Sequence, residues 1–138
     1  MSGEVILIAE DNPLNRKLVE AVLRPHGYRL LIAVDGLEAI AIATRERPDL
    51  ILMDLQLPKL GGYEAVQALR SQPETAHIPI VALTAHAMAG ERERATAAGC
   101  DGYITKPIDT RALPKQVRAY LDSRKGGKSN APDKTNVE

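Results

Sequence analysis

Five apolar runs of strand length alternate with five stretches of helical periodicity, and this alternation constrains the fold more than any other feature of the sequence. The apolar runs lie at residues 5–9, 30–34, 50–53, 80–83 and 102–105. The helical stretches lie at residues 14–23, 37–45, 63–69, 87–97 and 111–121. Strands that alternate with helices pair in parallel, because each helix returns the chain to the same end of the sheet. The pattern therefore predicts an α/β domain of five βα units.

The first and third apolar runs are continuous, which indicates strands that are covered on both faces, as in a doubly wound sheet. Phe and Trp are absent from the 138 residues, so we expect an aliphatic, alanine-rich core. One such domain accounts for residues 1–123. From residue 124 onward the apolar periodicity stops and Lys, Gly, Ser and Asn dominate, so we expect residues 124–138 to form a disordered tail.

Charge and cysteine content narrow the function classes. Lys and Arg number 18, as do Asp and Glu, so no net field favours nucleic acid or an anionic membrane surface. No apolar run approaches the roughly 20 residues that cross a bilayer, and no signal-peptide pattern opens the chain. The single cysteine, Cys100, cannot form an internal disulfide. We therefore expect a soluble, cytoplasmic protein that binds neither nucleic acid nor membranes.

Carboxylates follow two of the predicted strands at the points where they end. Glu10 and Asp11 follow the first run, and Asp54 follows the third. In open α/β sheets, ligands bind at the carboxyl ends of the strands. Two unit charges about 4 Å apart repel by roughly 4 kcal/mol at an effective dielectric near 20, so clustered acids favour a cation. Oxygen ligands of this kind point to Mg²⁺.

Each acid also has a purely structural interpretation. Asn12 and Pro13 are typical of a helix start, and acids just before a helix suit its dipole. Asp54 could likewise begin the turn that follows its strand. Two further strand ends favour the functional interpretation, because they add a hydroxyl at Thr84 and an ammonium at Lys106. Such a set of groups suits phosphoryl transfer by positioning and charge neutralisation.

The ordered set Glu10-Asp11-Asn12, Asp54, Thr84-Ala85 and Lys106-Pro107 resembles the response-regulator receiver domain of two-component signalling, and in particular its single-domain members. The resemblance implies a flavodoxin-like (βα)5 fold with strand order 2-1-3-4-5. It also implies a phosphoacceptor switch, not an enzyme, that is phosphorylated by a sensor histidine kinase or a histidine phosphotransfer protein. Signalling would then pass by a conformational change to a downstream protein that the sequence does not name.

Carried over by position, the resemblance makes Asp54 the nucleophile that accepts the phosphoryl group from a phosphohistidine. Asp11, Asp54 and the backbone carbonyl of Gln56 would bind Mg²⁺, with Glu10 supporting the ion through water. Each of these residues stands at the matching place in this sequence. The resemblance therefore supplies a complete set of metal ligands.

The same carry-over assigns the residues that respond to the phosphoryl group. Thr84 would bond one phosphoryl oxygen, and Lys106 would pair with another after pairing with Asp54 in the resting state. Tyr103 matches the aromatic residue that turns inward as Thr84 moves. The Lys106-Pro107 bond matches one that is usually cis in the family, whereas trans is the general default.

Two positions beside the site are expected to tune the lifetime of the phosphorylated state. Gln56 and His86 each lie two residues after a site residue, and both are bulky side chains that can hydrogen-bond. We hypothesise that they block or misdirect the attacking water. The alternative for His86 is a plain exposed residue at the start of the fourth helix.

Several functional alternatives remain open at the sequence level. A receiver of this kind could act as an output switch, or as a phosphate sink or shuttle in a phosphorelay. A degenerate receiver would bind partners without phosphorylation. A phosphatase of the haloacid dehalogenase type also forms an aspartyl phosphate, but it requires a second Asp where this chain has Gln56.

Two surfaces are candidates for partner binding. On the first helix, Leu14, Leu18 and Val22 form an apolar row that Val19 and Leu23 widen, which fits either a broad buried face or a docking site for a kinase. The fourth and fifth helices with the fifth strand form the usual output surface of the family. That surface could bind a target, a kinase or a second copy in a homodimer.

Overall fold

The computed structural model describes residues 3–85 and 89–130, with only the backbone given for residue 89 and residues 124–130. Strands and α-helices alternate along the chain. The strands are β1 (Val5–Ala9), β2 (Arg29–Ala33), β3 (Leu50–Asp54), β4 (Ile80–Thr84) and β5 (Gly102–Thr105). The helices are α1 (Pro13–Leu23), α2 (Gly36–Glu46), α3 (Gly62–Arg70), α4 (Ala89–Ala98) and α5 (Leu113–Asn130), with a short 3-10 helix at Arg24–His26.

All five strands are parallel, and their order in the sheet is β2-β1-β3-β4-β5. This confirms the predicted fold class and strand order. Ala9 at the end of β1 lies opposite Met53, and Asp54 lies opposite Leu83 of β4. The carboxyl ends of the three central strands therefore meet at one edge of the sheet, where strand order reverses.

Helices cover both faces of the sheet, as the continuous apolar strands predicted. Successive strand residues point to opposite faces, so Ile6 and Ile8 belong to one buried layer while Leu7 and Ala9 belong to the other. The first layer is closed by α1 and α5, and the second by α2, α3 and α4. Buried aliphatic and alanine side chains make up most of both layers.

Side-chain caps fix the starts of the first two helices. Asn12 Oδ1 accepts hydrogen bonds from the backbone amides of Leu14 at 2.9 Å and Asn15 at 3.2 Å. Asp35 Oδ1 accepts from the Glu38 amide at 2.8 Å. Such caps satisfy amides that have no partner inside the helix. Asn12 and Asp35 therefore set where α1 and α2 leave the functional edge of the sheet.

Of the apolar row Leu14, Leu18 and Val22 on α1, Val22 packs against the buried core, whereas Leu14 and Leu18 are exposed. Val19 and Leu23 are fully buried, whereas Leu14 is 78% exposed and Leu18 is 36% exposed. The wide stripe therefore divides into a buried row, Val19 and Leu23, and a row that is exposed at Leu14 and Leu18 and partly buried at Val22. The exposed row begins at the functional edge, because Leu14 is in the first turn of α1.

Helix α5 continues to Asn130, past the boundary at residue 123 where the disordered tail was expected to begin. Residues 131–138 lie outside the described residues, so a disordered tail stays a prediction for them. His86 also lies outside the described residues. In the part of the chain that the structure describes, no helix combines the length and the hydrophobicity needed to cross a membrane.

Candidate functional site

Three carboxylates converge where the first and third strands end. Glu10 directly follows β1 and is 1% exposed, while Asp54 is the last residue of β3 and is 2% exposed. Asp11 is exposed to solvent. One carboxylate oxygen from each of the three lies within 4.8 Å of the others. Three like charges this close repel strongly unless a cation lies among them.

Backbone contacts hold the turn that carries Glu10 and Asp11. The Glu10 amide donates to the carbonyl of Ala33 in β2 at 3.0 Å. Glu10 Oε2 accepts from the Asn12 amide at 3.1 Å, and the Arg16 guanidinium donates to the Glu10 carbonyl at 3.1 Å. The turn from β1 into α1 is therefore tied to the neighbouring strand, to its own carboxylate and to the helix that follows.

Both oxygens of the Asp54 carboxylate are held. Oδ1 accepts from the Gln56 amide at 2.9 Å, and Oδ2 lies 3.2 Å from Lys106 Nζ. A short polar side chain that bonds the amide two residues on is a common turn device, and here it also orients the carboxylate. Gln56 itself is exposed to solvent. The orientation of Asp54 is therefore set before any ligand arrives.

Lys106 bridges the two buried acids. Its ammonium lies 2.8 Å from Glu10 Oε1 and 3.2 Å from Asp54 Oδ2. Its backbone amide donates to the Thr84 carbonyl at 2.8 Å, which continues the β4–β5 pairing one residue past β5. The Lys106–Pro107 peptide bond is cis, as the family resemblance implied.

Burial and charge oppose each other in this group. Burial raises the pKa of Glu10, with the charge of Asp54 acting in the same direction, while the Lys106 and Asn12 hydrogen bonds lower it; the net shift is upward. Burial lowers the pKa of Lys106, but the Glu10 hydrogen bond and the charges of Asp54 and Glu10 outweigh it, so the net shift is upward. Lys106 is therefore held firmly as a cation.

The donor set fits Mg²⁺. Lys106 supplies one positive charge against three carboxylates, so the cluster still lacks positive charge. All donor atoms are oxygens, which suits a hard cation. Asp11 lies on the solvent side of the cluster, and an opening there suits an ion that keeps several of its waters. The acidic cluster can therefore hold the metal that the sequence predicted.

The two residues assigned to switching occupy neighbouring strands. Thr84 ends β4 and is buried, one residue past Leu83, the partner of Asp54. Tyr103 lies in β5 opposite Ala82 and is partly buried against the α2–α3–α4 layer. The Arg92 guanidinium of α4 lies 4.7 Å from the centre of the Tyr103 ring. Thr84 thus shares the edge with the acids, while Tyr103 is set back from it and contacts α4.

Sequence reasoning missed the direct contact between Lys106 and Glu10. It paired the lysine with Asp54 alone, because the family pattern names that pair. Both contacts require Lys106 to reach from the end of β5 across β4. No spacing in the sequence encodes the length of that reach. The signal that could have found it is the presence of two buried acids and one lysine at the same edge.

Comparisons with known proteins show the family of this chain. The model of the response regulator receiver domain matches residues 6–118. The polar-differentiation response regulator DivK of Brucella anthropi is 43% identical over 116 residues, which are 84% of this chain and 94% of that protein.

Solved structures show the same fold. The receiver domain of the sensor histidine kinase PA1611 from Pseudomonas aeruginosa PAO1, with a magnesium ion coordinated in its active-site cleft, has a TM-score of 0.82 and 42% identity, covering 88% of this chain and 99% of that one. The chemotaxis response regulator CheY4 of Vibrio cholerae has a TM-score of 0.81 and 30% identity, covering 86% of this chain and 98% of that one.

These matches confirm the predicted resemblance and set aside the phosphatase alternative. Receivers of the DivK and CheY type act as phosphoacceptor switches and not as enzymes. They interact with histidine kinases and with downstream targets. The acidic cluster at the strand ends and the magnesium ion in the Pseudomonas structure point to the same cofactor. On its sequence, its fold and its cluster of strand-end acids, this chain belongs to the response-regulator receiver domain family.

Proposed function

We propose that Asp54 is the phosphoacceptor of this receiver and that the phosphoryl donor is a phosphohistidine on a sensor histidine kinase or a histidine phosphotransfer protein. The observation that carries the proposal is the state of the Asp54 carboxylate. It is buried, and both of its oxygens are held, one by the Gln56 amide and one by Lys106. A nucleophile with a fixed orientation needs little further ordering before in-line attack.

The transfer forms one bond and breaks one. A carboxylate oxygen of Asp54 attacks phosphorus, the phosphorus–nitrogen bond of the donor breaks, and its electron pair leaves on the imidazole nitrogen. Bound Mg²⁺ would neutralise charge on the phosphoryl oxygens. Asp11, Asp54 and the Gln56 carbonyl would hold the ion, with Glu10 acting through water. These ligands belong to the turns that the structure holds in place after β1 and β3.

Lys106 and Thr84 would receive the phosphoryl group. The ammonium of Lys106 leaves Asp54 Oδ2 for a phosphoryl oxygen while it stays beside Glu10, so the buried acids never lose their cation. The Thr84 hydroxyl bonds a second phosphoryl oxygen. Its movement frees space near β5, and Tyr103 responds by turning inward. Contact between Tyr103 and Arg92 would carry that change to α4.

Partner binding would use the surfaces around this edge. The exposed Leu14 at the start of α1 offers an apolar contact for the kinase or phosphotransfer helix close to Asp54. The face formed by α4, β5 and α5 would bind the downstream protein or a second copy of the chain, and the exchange would occur in the cytoplasm. An output switch, a phosphate sink and a phosphate shuttle would all use this phosphoryl transfer. A pull-down with beryllofluoride-treated protein would separate these roles.

Phosphorylation with acetyl phosphate tests the acceptor assignment. Wild type with Mg²⁺ should gain the mass of one phosphoryl group, and Asp54→Asn should gain none. The matched control is Asp122→Asn, which changes an aspartate on α5 that pairs with Arg118, and it should be phosphorylated like wild type. Phosphorylation of Asp54→Asn at the wild-type rate, or a wild type that shows no Mg²⁺-dependent response, would sink the proposal.

A further inference from the structure

Over residues 90–98, where the structure gives its side chains, helix α4 packs on the domain through few apolar groups. In the described part of this helix, the buried side chains are those of Ala95 and Ala98. Helix α5, by contrast, buries Leu113, Val117 and Leu121. Alanine offers one methyl group to the core, so its burial stabilises far less than that of a leucine or valine. Polar and aromatic contacts therefore contribute a large share of what holds α4 in place.

The strongest of these contacts join α4 to one tyrosine of α3. The Tyr63 hydroxyl donates a hydrogen bond to Glu91 Oε1. The Arg94 guanidinium lies 3.9 Å from the centre of the Tyr63 ring, a distance at which cation–π attraction is favourable. Glu91 and Arg94 are three residues apart and so share one face of α4. Tyr63 itself is only 8% exposed, while Glu91 is partly buried and Arg94 is exposed, so both contacts lie at the rim of the core.

The Tyr63 hydroxyl stays a donor throughout the physiological pH range. Burial, reinforced by the hydrogen bond to Glu91, raises the pKa of Tyr63 to about 12. The bond is therefore charge-assisted, with a neutral hydroxyl donating to a carboxylate.

The start of α3 is built on the backbone of Asp54. Gly62 is buried where a Cβ would clash with the carbonyl oxygen of Asp54 and would lie 2.5 Å from Leu55 Cα. Only a glycine allows this close approach. Tyr63 is the next residue after Gly62, which itself touches the backbone at the end of β3. One peptide bond therefore separates Tyr63 from a residue in contact with Asp54. A displacement of the Asp54 backbone would therefore reach Tyr63 through Gly62 alone.

We propose that Tyr63 and Glu91 are a positioning pair that holds α4 in the arrangement described here and thereby sets how readily the site activates. Arg94 supports the pair from its position over the face of the Tyr63 ring. Through Arg92, α4 also contacts Tyr103 of β5. Helix α4 is therefore linked to Asp54 by way of Tyr63, and to β5 by way of Tyr103. Loss of the Tyr63–Glu91 hydrogen bond lowers the free energy needed to move α4. The inference rests on the proposed function of Asp54.

Beryllofluoride binding measures that cost directly, since this probe occupies the phosphoryl position in the presence of Mg²⁺. Tyr63→Phe keeps the ring under Arg94 and removes only the hydroxyl. We expect it to bind beryllofluoride about five- to tenfold more tightly than wild type, as loss of one charge-assisted hydrogen bond allows. Amide resonances of α4 and Tyr103 should already lie closer to their beryllofluoride-bound positions before the probe is added.

Matched variants separate coupling from plain destabilisation. Tyr28→Phe also removes a buried tyrosine hydroxyl, which contacts Arg118 at 3.4 Å at the opposite end of the sheet, and it should bind beryllofluoride like wild type. Glu91→Ala should reproduce Tyr63→Phe, and the double variant should add nothing further. Glu91→Gln keeps a hydrogen-bond acceptor and should lie closer to wild type than Glu91→Ala.

Two outcomes overturn different claims. If wild type responds to beryllofluoride and Tyr63→Phe binds it with equal or lower affinity, the positioning role is wrong. The positioning role is also wrong if Tyr63→Phe lowers the free energy of unfolding but leaves the α4 resonances at their wild-type positions. If wild type itself fails to respond, it is the phosphoacceptor assignment that fails.

Discussion

Lys106 lies nearer to Glu10 than to Asp54, with its ammonium 2.8 Å from Glu10 Oε1 and 3.2 Å from Asp54 Oδ2. The lysine follows β5, while Glu10 follows β1 and Asp54 ends β3, and β4 lies between β3 and β5. One cation therefore joins three separate strand ends. The contact gives Lys106 a structural task, neutralising buried acids, as well as its proposed task at the phosphoryl group.

Replacing Lys106 with Met should destabilise the metal-free protein. The variant keeps the length of the side chain but leaves the two buried carboxylates without their cation. We expect the free energy of unfolding to fall by about 3 kcal/mol, at the lower end for breaking a buried ion pair. Urea denaturation without Mg²⁺ measures the change.

Added Mg²⁺ should recover part of that loss, because it supplies positive charge to the same acids. Lys59→Met is the control, since Lys59 is largely exposed and pairs with Asp35 at 3.6 Å; it should change stability by less than about 0.5 kcal/mol. Equal losses in both variants, or a loss that Mg²⁺ leaves untouched, would contradict the bridging role.

Magnesium should stabilise the wild type through the acidic cluster. At a concentration about 100 times the dissociation constant, a ligand that binds only the folded state adds about 2.7 kcal/mol. Asp11→Asn should lower the Mg²⁺ affinity by roughly tenfold or more, because it removes a charged oxygen ligand. The stabilisation by Mg²⁺ should weaken accordingly. The same variant should be more stable than wild type without Mg²⁺, since it removes one of three repelling charges.

Thermal or urea unfolding over a series of Mg²⁺ concentrations checks both expectations for Asp11→Asn, the weaker Mg²⁺ response and the higher stability without Mg²⁺. Glu93→Gln, which changes an exposed acid of α4, should leave the Mg²⁺ response and the metal-free stability unchanged. An Asp11→Asn variant with the Mg²⁺ response of wild type would show that the ion binds elsewhere.

The fold and the location of the site follow from sequence because both depend on backbone rules. Apolar runs alternating with helical stretches permit few arrangements, and parallel strands place their carboxyl ends together. Glu10 and Asp54 therefore had to lie at the same edge, whereas the strand order that makes β1 and β3 neighbours was implied by the family resemblance. The helix start at Asn12 and the cap at Asp35 are equally local, since each depends on a few neighbouring residues.

Contacts between side chains of distant elements could not be predicted in this way. The Lys106–Glu10 pair depends on how far a lysine reaches across β4 and β3, and the Tyr63–Glu91 bond joins residues 28 positions apart. The exposed row on α1 has a related cause. The sequence shows a wide apolar stripe, but the angle at which α1 packs on the sheet decides that Val19 is buried and Leu14 is not.

Cys100 should be a poorly reactive thiol in the folded protein. Burial, with the nearby Asp101 charge as a smaller cause, raises the pKa of its thiol to about 11 from 9.0. At about pH 8 the thiol is therefore protonated and buried, and alkylation by iodoacetamide should be slow until urea unfolds the chain. Fast alkylation under native conditions would contradict this environment.

The same shift predicts a pH dependence of stability. A pKa that is higher in the folded state contributes stability below pH 9, and that contribution is lost as the pH rises towards 11. The difference in unfolding free energy between wild type and Cys100→Ala should therefore fall by up to about 2 kcal/mol between about pH 8 and about pH 11. A difference that stays constant over this range would count against the shift.

The lifetime of the phosphorylated state should depend on Gln56 and His86. Gln56 is exposed, and its backbone amide donates to Asp54 at 2.9 Å, so its side chain begins within reach of water that would approach the phosphoryl group. A bulky side chain that hydrogen-bonds there can exclude the attacking water or hold it in an unproductive orientation. We expect Gln56→Ala and His86→Ala each to shorten the lifetime by a factor of a few to about ten.

The decay of phosphorylated protein after removal of the donor measures these lifetimes, with Mg²⁺ held constant. Gln67→Ala is the matched control, because it removes an exposed glutamine of α3 and should decay like wild type. A shortened lifetime in Gln56→Ala alone would leave His86 as an ordinary residue before α4. Unchanged decay in both variants would mean that water reaches the phosphoryl group by a path that neither side chain obstructs.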